Sequence, residues 1–178
     1  MHERTANLLG AAALAVSDRM LADAQRKVGI SASAAAAVVV ASASPGLSVS
    51  ELGRRVGLSQ SAAARMVDSL EQGRWVHRRP RRGREVAVEL TAKGRRAADT
   101  LLATRGSGLS GLLDVLTSGE QEQLADLLGK LLTRLYQDVG SADLLCRLCD
   151  RAGCTRGAVC PVGQAERDRA QGERDHGG

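Results

Sequence analysis

Three observations predict a mainly α-helical chain interrupted by one small antiparallel β-hairpin. Along most of the 178 residues, apolar side chains recur at spacings of three and four, the period of a helix with one buried stripe. Between Trp75 and Leu90 the period changes. Trp75 to Arg78 reads as a short strand, and Glu85 to Leu90 alternates polar with apolar, as a half-buried partner strand does. Pro80 and Gly83 lie between the two segments and supply the turn.

Each element has its own local justification. Residues 5 to 27 form a first helix, with Val16, Met20, Leu21 and Ala24 on one stripe. Ser31 to about Ala43 forms a second, and Ser44, Pro45 and Gly46 break the pattern. Ser48 with Glu51 makes a capping box for a third helix, which runs to about Val56 with Val49, Leu52 and Val56 on its apolar face. Gly57 supplies the left-handed residue that ends it. Ser59 caps the next helix, in which Ala63, Met66, Val67 and Leu70 face inward. After Thr91 a helix runs past Leu101 and Leu102 toward Leu116, weakened by Gly106, Gly108 and Gly111. A second capping box, Thr117 with Glu120, starts a helix carrying Leu124, Leu127, Leu128, Leu131, Leu132, Leu135 and Val139 on one face. That face is too broad for the solvent side of a monomer, so a second subunit is its expected cover. Gln164 to Gly178 is polar and charged and is expected to be disordered.

Two short helices joined at Gly57–Ser59 and followed by a hairpin make a winged helix-turn-helix, whose second helix reaches base edges of duplex DNA. Gln60, Ser61, Ala64 and Arg65 lie on the outer side near the start of that helix and are its candidate contacts. From Arg74 to Arg84 the sequence RWVHRRPRRGR holds six arginines and no acid. Such a charge density repels itself unless screened by an anion or by water. Arg78, Arg79, Arg81, Arg82 and Arg84 are therefore candidate phosphate or minor-groove contacts. For His77, in the same segment, a satisfied or solvated histidine is the expected reading.

The residues LSVSELGRRVGLSQSAAARMVDSLEQGRWVHRR followed by EVAVELTAKG resemble the winged-helix core of the multiple-antibiotic-resistance regulators, the MarR family. By element order the resemblance spans roughly residues 5 to 140, and at motif level residues 47 to 94. It implies an obligate homodimer that represses or activates genes and releases DNA when a small molecule or oxidant acts on it. It also implies recognition-helix contacts at Ser61 and Arg65 and a wing arginine at Arg84. The chain departs from the family where an aspartate usually stands two residues before the wing arginine, which here is Arg82. The wing is short, and the glycine common after the recognition helix comes one place early, as Gly73.

Composition sets further bounds. The net charge of +5 gives a mild bias toward polyanions. Arginine outnumbers lysine 22 to 3, as a GC-rich genome would produce, so arginine abundance alone carries little weight. One tryptophan, one tyrosine and no phenylalanine exclude an aromatic platform for single strands or RNA. Leu8 to Val16 has the length of a signal-peptide apolar region, but the stripe continues through Met20 and Ala24, so a cytoplasmic location is expected. No run reaches the roughly 18 apolar residues of a membrane span. No Ser-His-Asp order, glycine-rich phosphate loop or paired carboxylate set is present, and no enzyme is expected.

The four cysteines, Cys146, Cys149, Cys154 and Cys160, all fall in the C-terminal tail with the spacing C-x2-C-x4-C-x5-C. In a reducing compartment such clustering favours metal or redox chemistry over structural disulfides. Zinc, an iron–sulfur cluster and a metal-free thiol switch tuned by Arg147, Arg151 and Arg156 are the chemical readings, with inert cysteines the remaining one. The expected organisation is an N-terminal dimerisation helix (1–30), a winged helix-turn-helix (31–92), C-terminal dimerisation helices (93–145), the cysteine cluster (146–163) and a disordered tail (164–178). The expected function is a homodimeric, sequence-specific transcriptional regulator, a repressor by expectation. It would bind a palindromic operator in double-stranded DNA and be switched by redox chemistry or metal at the cysteines. The alternative is a winged-helix adaptor that uses its basic face on an acidic protein and its tail as a structural zinc module.

Overall fold

The computed structural model describes residues 2–80 and 86–175. In chain order these form α1 (His2–Val28), α2 (Ala32–Ala43), β1 (Leu47–Ser48), α3 (Val49–Val56), α4 (Gln60–Gln72), β2 (Val76–Pro80) and β3 (Val86–Leu90). They are followed by α5 (Ala92–Leu113), α6 (Ser118–Val139), α7 (Ala142–Leu145), α8 (Arg151–Cys154) and α9 (Pro161–Asp175). The fold is the mainly α winged helix-turn-helix that the periodicities predict.

The core is organised around α2. Its sequence ASAAAAVVVASA is small and apolar on every side, which suits a helix enclosed all round. Ala34 to Val39 and Ala41 are buried accordingly, against α3, α4, α5 and β3. The caps form where the sequence places them: Ser31, Ser48, Ser59 and Thr91 each accept a backbone N–H with the side-chain oxygen. Gly57 ends α3 with φ 77°, a left-handed conformation that costs glycine nothing.

Several expectations are corrected. The capping box at α3 is half made: Ser48 Oγ accepts from the Glu51 N–H at 3.2 Å, but the Glu51 carboxylate turns to Arg54 and Arg55. At α6 the reciprocal box of Thr117 and Glu120 is complete. The first wing strand begins at Val76 and not at Trp75, whose N–H is taken by the Leu70 carbonyl of α4 at 2.9 Å. A third strand, β1, joins the hairpin; the sheet order is β1-β3-β2, all antiparallel, with Leu47 opposite Val88 and His77 opposite Glu89. Two residues are too few to show a period, so this strand was illegible. Helix α5 stops at Leu113, short of Leu116, where the Gln121 amide donates to both the Leu113 and Leu116 carbonyls at 3.1 Å.

The largest correction lies at the C-terminus. The segment expected to be disordered forms α9 as far as Asp175, while residues 176–178 lie outside the described part. Its anchor is Val162, 1% exposed against Tyr136 and Ala142. Beyond Ala165 the helix is polar and held by surface pairs such as Arg169–Glu173 at 3.0 Å, so composition alone could not reveal its docking. On α6, Leu132 and Tyr136 serve this small cluster, but Leu127, Leu128, Leu131, Leu135 and Val139 remain exposed. Leu8, Leu9 and Leu14 of α1 are exposed as well.

Candidate nucleic-acid interface

Helix α4 presents its outer face because its inner face is fixed. Ala63, Met66, Val67 and Leu70 are buried, and α3 crosses close beneath: a Cβ built on Gly53 would stand 2.4 Å from the Ala63 Cβ. No larger residue fits at Gly53 without separating the two helices. Sequence reading missed this glycine, whose signal is only a glycine inside an amphipathic helix. The outer face carries Gln60, Ser61 and Arg65 exposed and Ala64 half-buried. Ser61 and Arg65 are one helical turn apart and point the same way. Ser61 Oγ lies 3.4 Å from Ser59 Oγ.

The wing is attached to this helix by arginine chemistry. Arg78 was expected among the DNA contacts, but its guanidinium is folded back onto α4, 2.6 Å from Asp68 and also on Glu71. The Arg78 N–H donates to Glu71 at 3.0 Å. The Asp68 hydrogen bond, supported by Glu71, raises the Arg78 pKa. Arg78 is therefore a strut that sets the angle between wing and recognition helix. Arg79 is exposed and only loosely paired, 3.6 Å from Glu89, which also lies 3.4 Å from His77. His77 itself is exposed, as a solvated histidine would be. Arg81, Arg82 and Arg84 lie outside the described residues.

The base of the wing rests on α5. A Cβ on Gly94 would come within 2.1 Å of the Trp75 carbonyl oxygen, Thr91 Oγ1 donates to the Arg74 carbonyl at 2.7 Å, and Lys93 Nζ donates to the Gly73 carbonyl at 2.7 Å. The Lys93 ammonium also sits 3.7 Å from the Trp75 ring centre, a cation–π contact. The early glycine now has an explanation: a side chain at Gly73 would strike the Trp75 indole at 2.6 Å. The left-handed turn falls instead on Arg74, with φ 58°, the only described non-glycine residue there.

The cysteine tail meets the same head. Asp143 of α7 reaches Arg54 at 3.3 Å, Arg55 at 3.5 Å and Arg151 at 3.4 Å, while the Leu144 methyl stands 2.9 Å from the position of a Cβ on Gly57. Arg54 and then Arg55 hold the Glu51 carboxyl at about 2, well below its ordinary 4.5. Cys146, Cys149, Cys154 and Cys160 all line one cavity of about 280 Å³ beside Arg151 and Arg167. The Cys146 thiol is lowered chiefly by the hydrogen bond with Cys149, whose own value rises, and burial pushes Cys154 up to about 11. Among the described residues, no three His, Cys, Asp or Glu side chains already stand in metal-ligand positions. No single described helix is long and apolar enough to cross a membrane.

A winged helix-turn-helix with an exposed recognition face, braced by its wing and continued by long helices, defines the class of transcription-regulator folds. Residues 28–85 match the sequence model of the MarR family. The YusO protein of Bacillus subtilis is similar in structure, with 26% identity and a TM-score of 0.64 over 73% of this chain and 93% of that one. Escherichia coli MarR in its apo form shares 28% identity with a TM-score of 0.58, covering 70% of this chain and 96% of its own. The Mycobacterium tuberculosis MarR family protein Rv2887 shares 27%, also at 0.58, covering 70% and 91%. No curated protein sequence matches the chain. The family match ends before the cysteine tail.

Proposed function

We infer that the protein is a homodimeric, sequence-specific DNA-binding repressor. The observation that carries this reading is the α4 face of Gln60, Ser61, Ala64 and Arg65, held outward by a buried opposite face. Two such helices related by a two-fold axis enter successive major grooves of a palindromic operator, with half-sites roughly 10 base pairs apart. Arg65 reads base edges, a guanidinium being suited to bidentate contact with guanine. Arg79 and the wing arginines Arg81, Arg82 and Arg84 sit on phosphates or in the minor groove. The second subunit covers the exposed leucines of α6 and α1.

The signal enters at the cysteine tail, through its redox or metal state. Support comes from Asp143 and Leu144, which join the tail to α3 directly, so a change in the tail changes the support under α4. Duplex selection followed by footprinting tests the main reading. A defined palindromic footprint, with specific binding at least a thousandfold tighter than non-specific, is expected at moderate salt. Equal affinity for all duplexes would overturn it and favour an acidic protein as the partner of the basic face.

A further inference from the structure

The four cysteines come from four different places in the tail. Cys146 follows α7, Cys149 lies in the turn after it, Cys154 ends α8, and Cys160 precedes Pro161 at the start of α9. The chain nonetheless returns each to one cavity. Two backbone bonds bend the chain inward: the Cys149 N–H donates to the Cys146 carbonyl at 2.9 Å, and the Gly163 N–H donates to Cys160 Sγ at 3.4 Å. The second bond is suited to a sulfur carrying negative charge. Cys146 and Cys160 also pack on the cluster of Tyr136, Ala142 and Val162, so the site is built on the end of α6 and the start of α9.

We propose that Cys146, Cys149, Cys154 and Cys160 form a tetrathiolate site for one zinc ion, and that the filled site braces α6 and α9 against the helix-turn-helix. Four thiols lining one small cavity suit a single ion, whose bonds of about 2.3 Å put tetrahedral ligands about 3.8 Å apart. A four-iron cluster spreads its four cysteines more widely. Binding releases four thiol protons and leaves a complex of charge −2, beside Arg151 and Arg167 on one side and Arg105 and Arg147 on the other, with Glu166 the one acid lining the cavity. The thiols do not yet stand in ligand positions, and closing the site draws the exposed Cys154 together with the three half-buried thiols. Its helix α8 is one turn long and tied back by Asp150, whose carboxylate accepts the Gly153 N–H at 3.1 Å. Through Asp143 and Leu144 the brace ends on Arg54, Arg55 and Gly57, at the base of the recognition unit.

The test uses the full chain purified both with and without oxygen, with metal content measured by elemental analysis. About one zinc per chain, with neither iron nor acid-labile sulfide, is the expected result. Replacement by Co²⁺ should give the visible bands of a tetrahedral thiolate site. Cys154→Ser should lose most of the zinc, whereas Cys154→His, which restores a zinc ligand, should keep it; this pair separates ligation from misfolding. Iron with sulfide, a metal-free protein whose four thiols all react with a thiol reagent, a disulfide within the tail, or equal zinc in the serine variant would each overturn the proposal. Metal content is read without DNA, so this proposal and the operator reading fail independently.

Discussion

The reading head and the flanking helices solve the burial problem differently. In the head, α2, α3, α4, the sheet and the first half of α5 enclose Val38, Leu52, Val67, Leu70 and Val88, each 2% exposed or less. On α6 the same kind of leucine stripe leaves Leu131 41% and Leu127 56% exposed, and α1 buries no residue at all. One chain completes the first core and only half builds the second. A helix whose apolar face has no cover within its chain is evidence about assembly, and a closed core is evidence about stability.

The sharpest way to break this contrast is a pair of leucine substitutions. Leu52→Ala should cost about 2–5 kcal/mol, measured by denaturant unfolding, because a fully packed side chain leaves a cavity. Leu131→Asp should leave the head's core intact but shift sedimentation from dimer to monomer and abolish operator binding. Equal unfolding midpoints at low and high concentration of the wild-type protein, or an operator-binding monomer, would show that α6 needs no partner.

Within the head, the base reading proposed for Arg65 should separate from the scaffolding by Arg78. Arg65→Ala should lose about 1–3 kcal/mol of operator affinity and relax preference at particular base pairs. Arg78→Ala should weaken binding to every duplex, since the wing loses its tie to Asp68 and Glu71. Titrations on matched and mismatched duplexes distinguish the two patterns; similar profiles would remove the distinction.

A smaller effect is expected at the turn between α4 and β2. Arg74→Gly relieves a left-handed residue and should raise the unfolding free energy by up to about 1 kcal/mol, part of the gain being offset by glycine's freedom in the unfolded chain. A loss of stability would mean that Arg74 makes an interaction outweighing its strain. The smallest effect concerns acid. Glu51 is held at about 2 against an ordinary 4.5, so its contribution is complete above about pH 4.5 and disappears as pH falls toward 2. Solvent screens these partly exposed pairs, so Glu51→Gln should flatten the acid limb of the stability curve only slightly.

The head was the most legible part of the chain because its signals are local. Ser48, Gly57, Ser59 and Thr91 act on backbone groups within three or four residues, and the inward face of α4 follows from a single period. Gly53 and Gly94 were not legible as contacts, since each is defined by an atom from another element pressing into the space of its missing side chain. Arg78 looked like every other arginine of a basic run until the fold set Asp68 and Glu71 beside it.

By itself, then, the sequence determined the order of the helices and hairpin as far as α6, the caps at Ser31, Ser48, Ser59, Thr91 and Thr117, the outward face of α4 and the presence of four thiols in one short tail. The tertiary structure alone decided which arginine became a strut, that Val162 would dock a polar helix onto Tyr136, and that the tail would rest on α3 through Asp143. The physical reason is range. Capping and periodicity are fixed by neighbours along the chain, whereas ion pairs between elements, a third strand of two residues and a one-residue anchor depend on surfaces that meet only after the chain has folded.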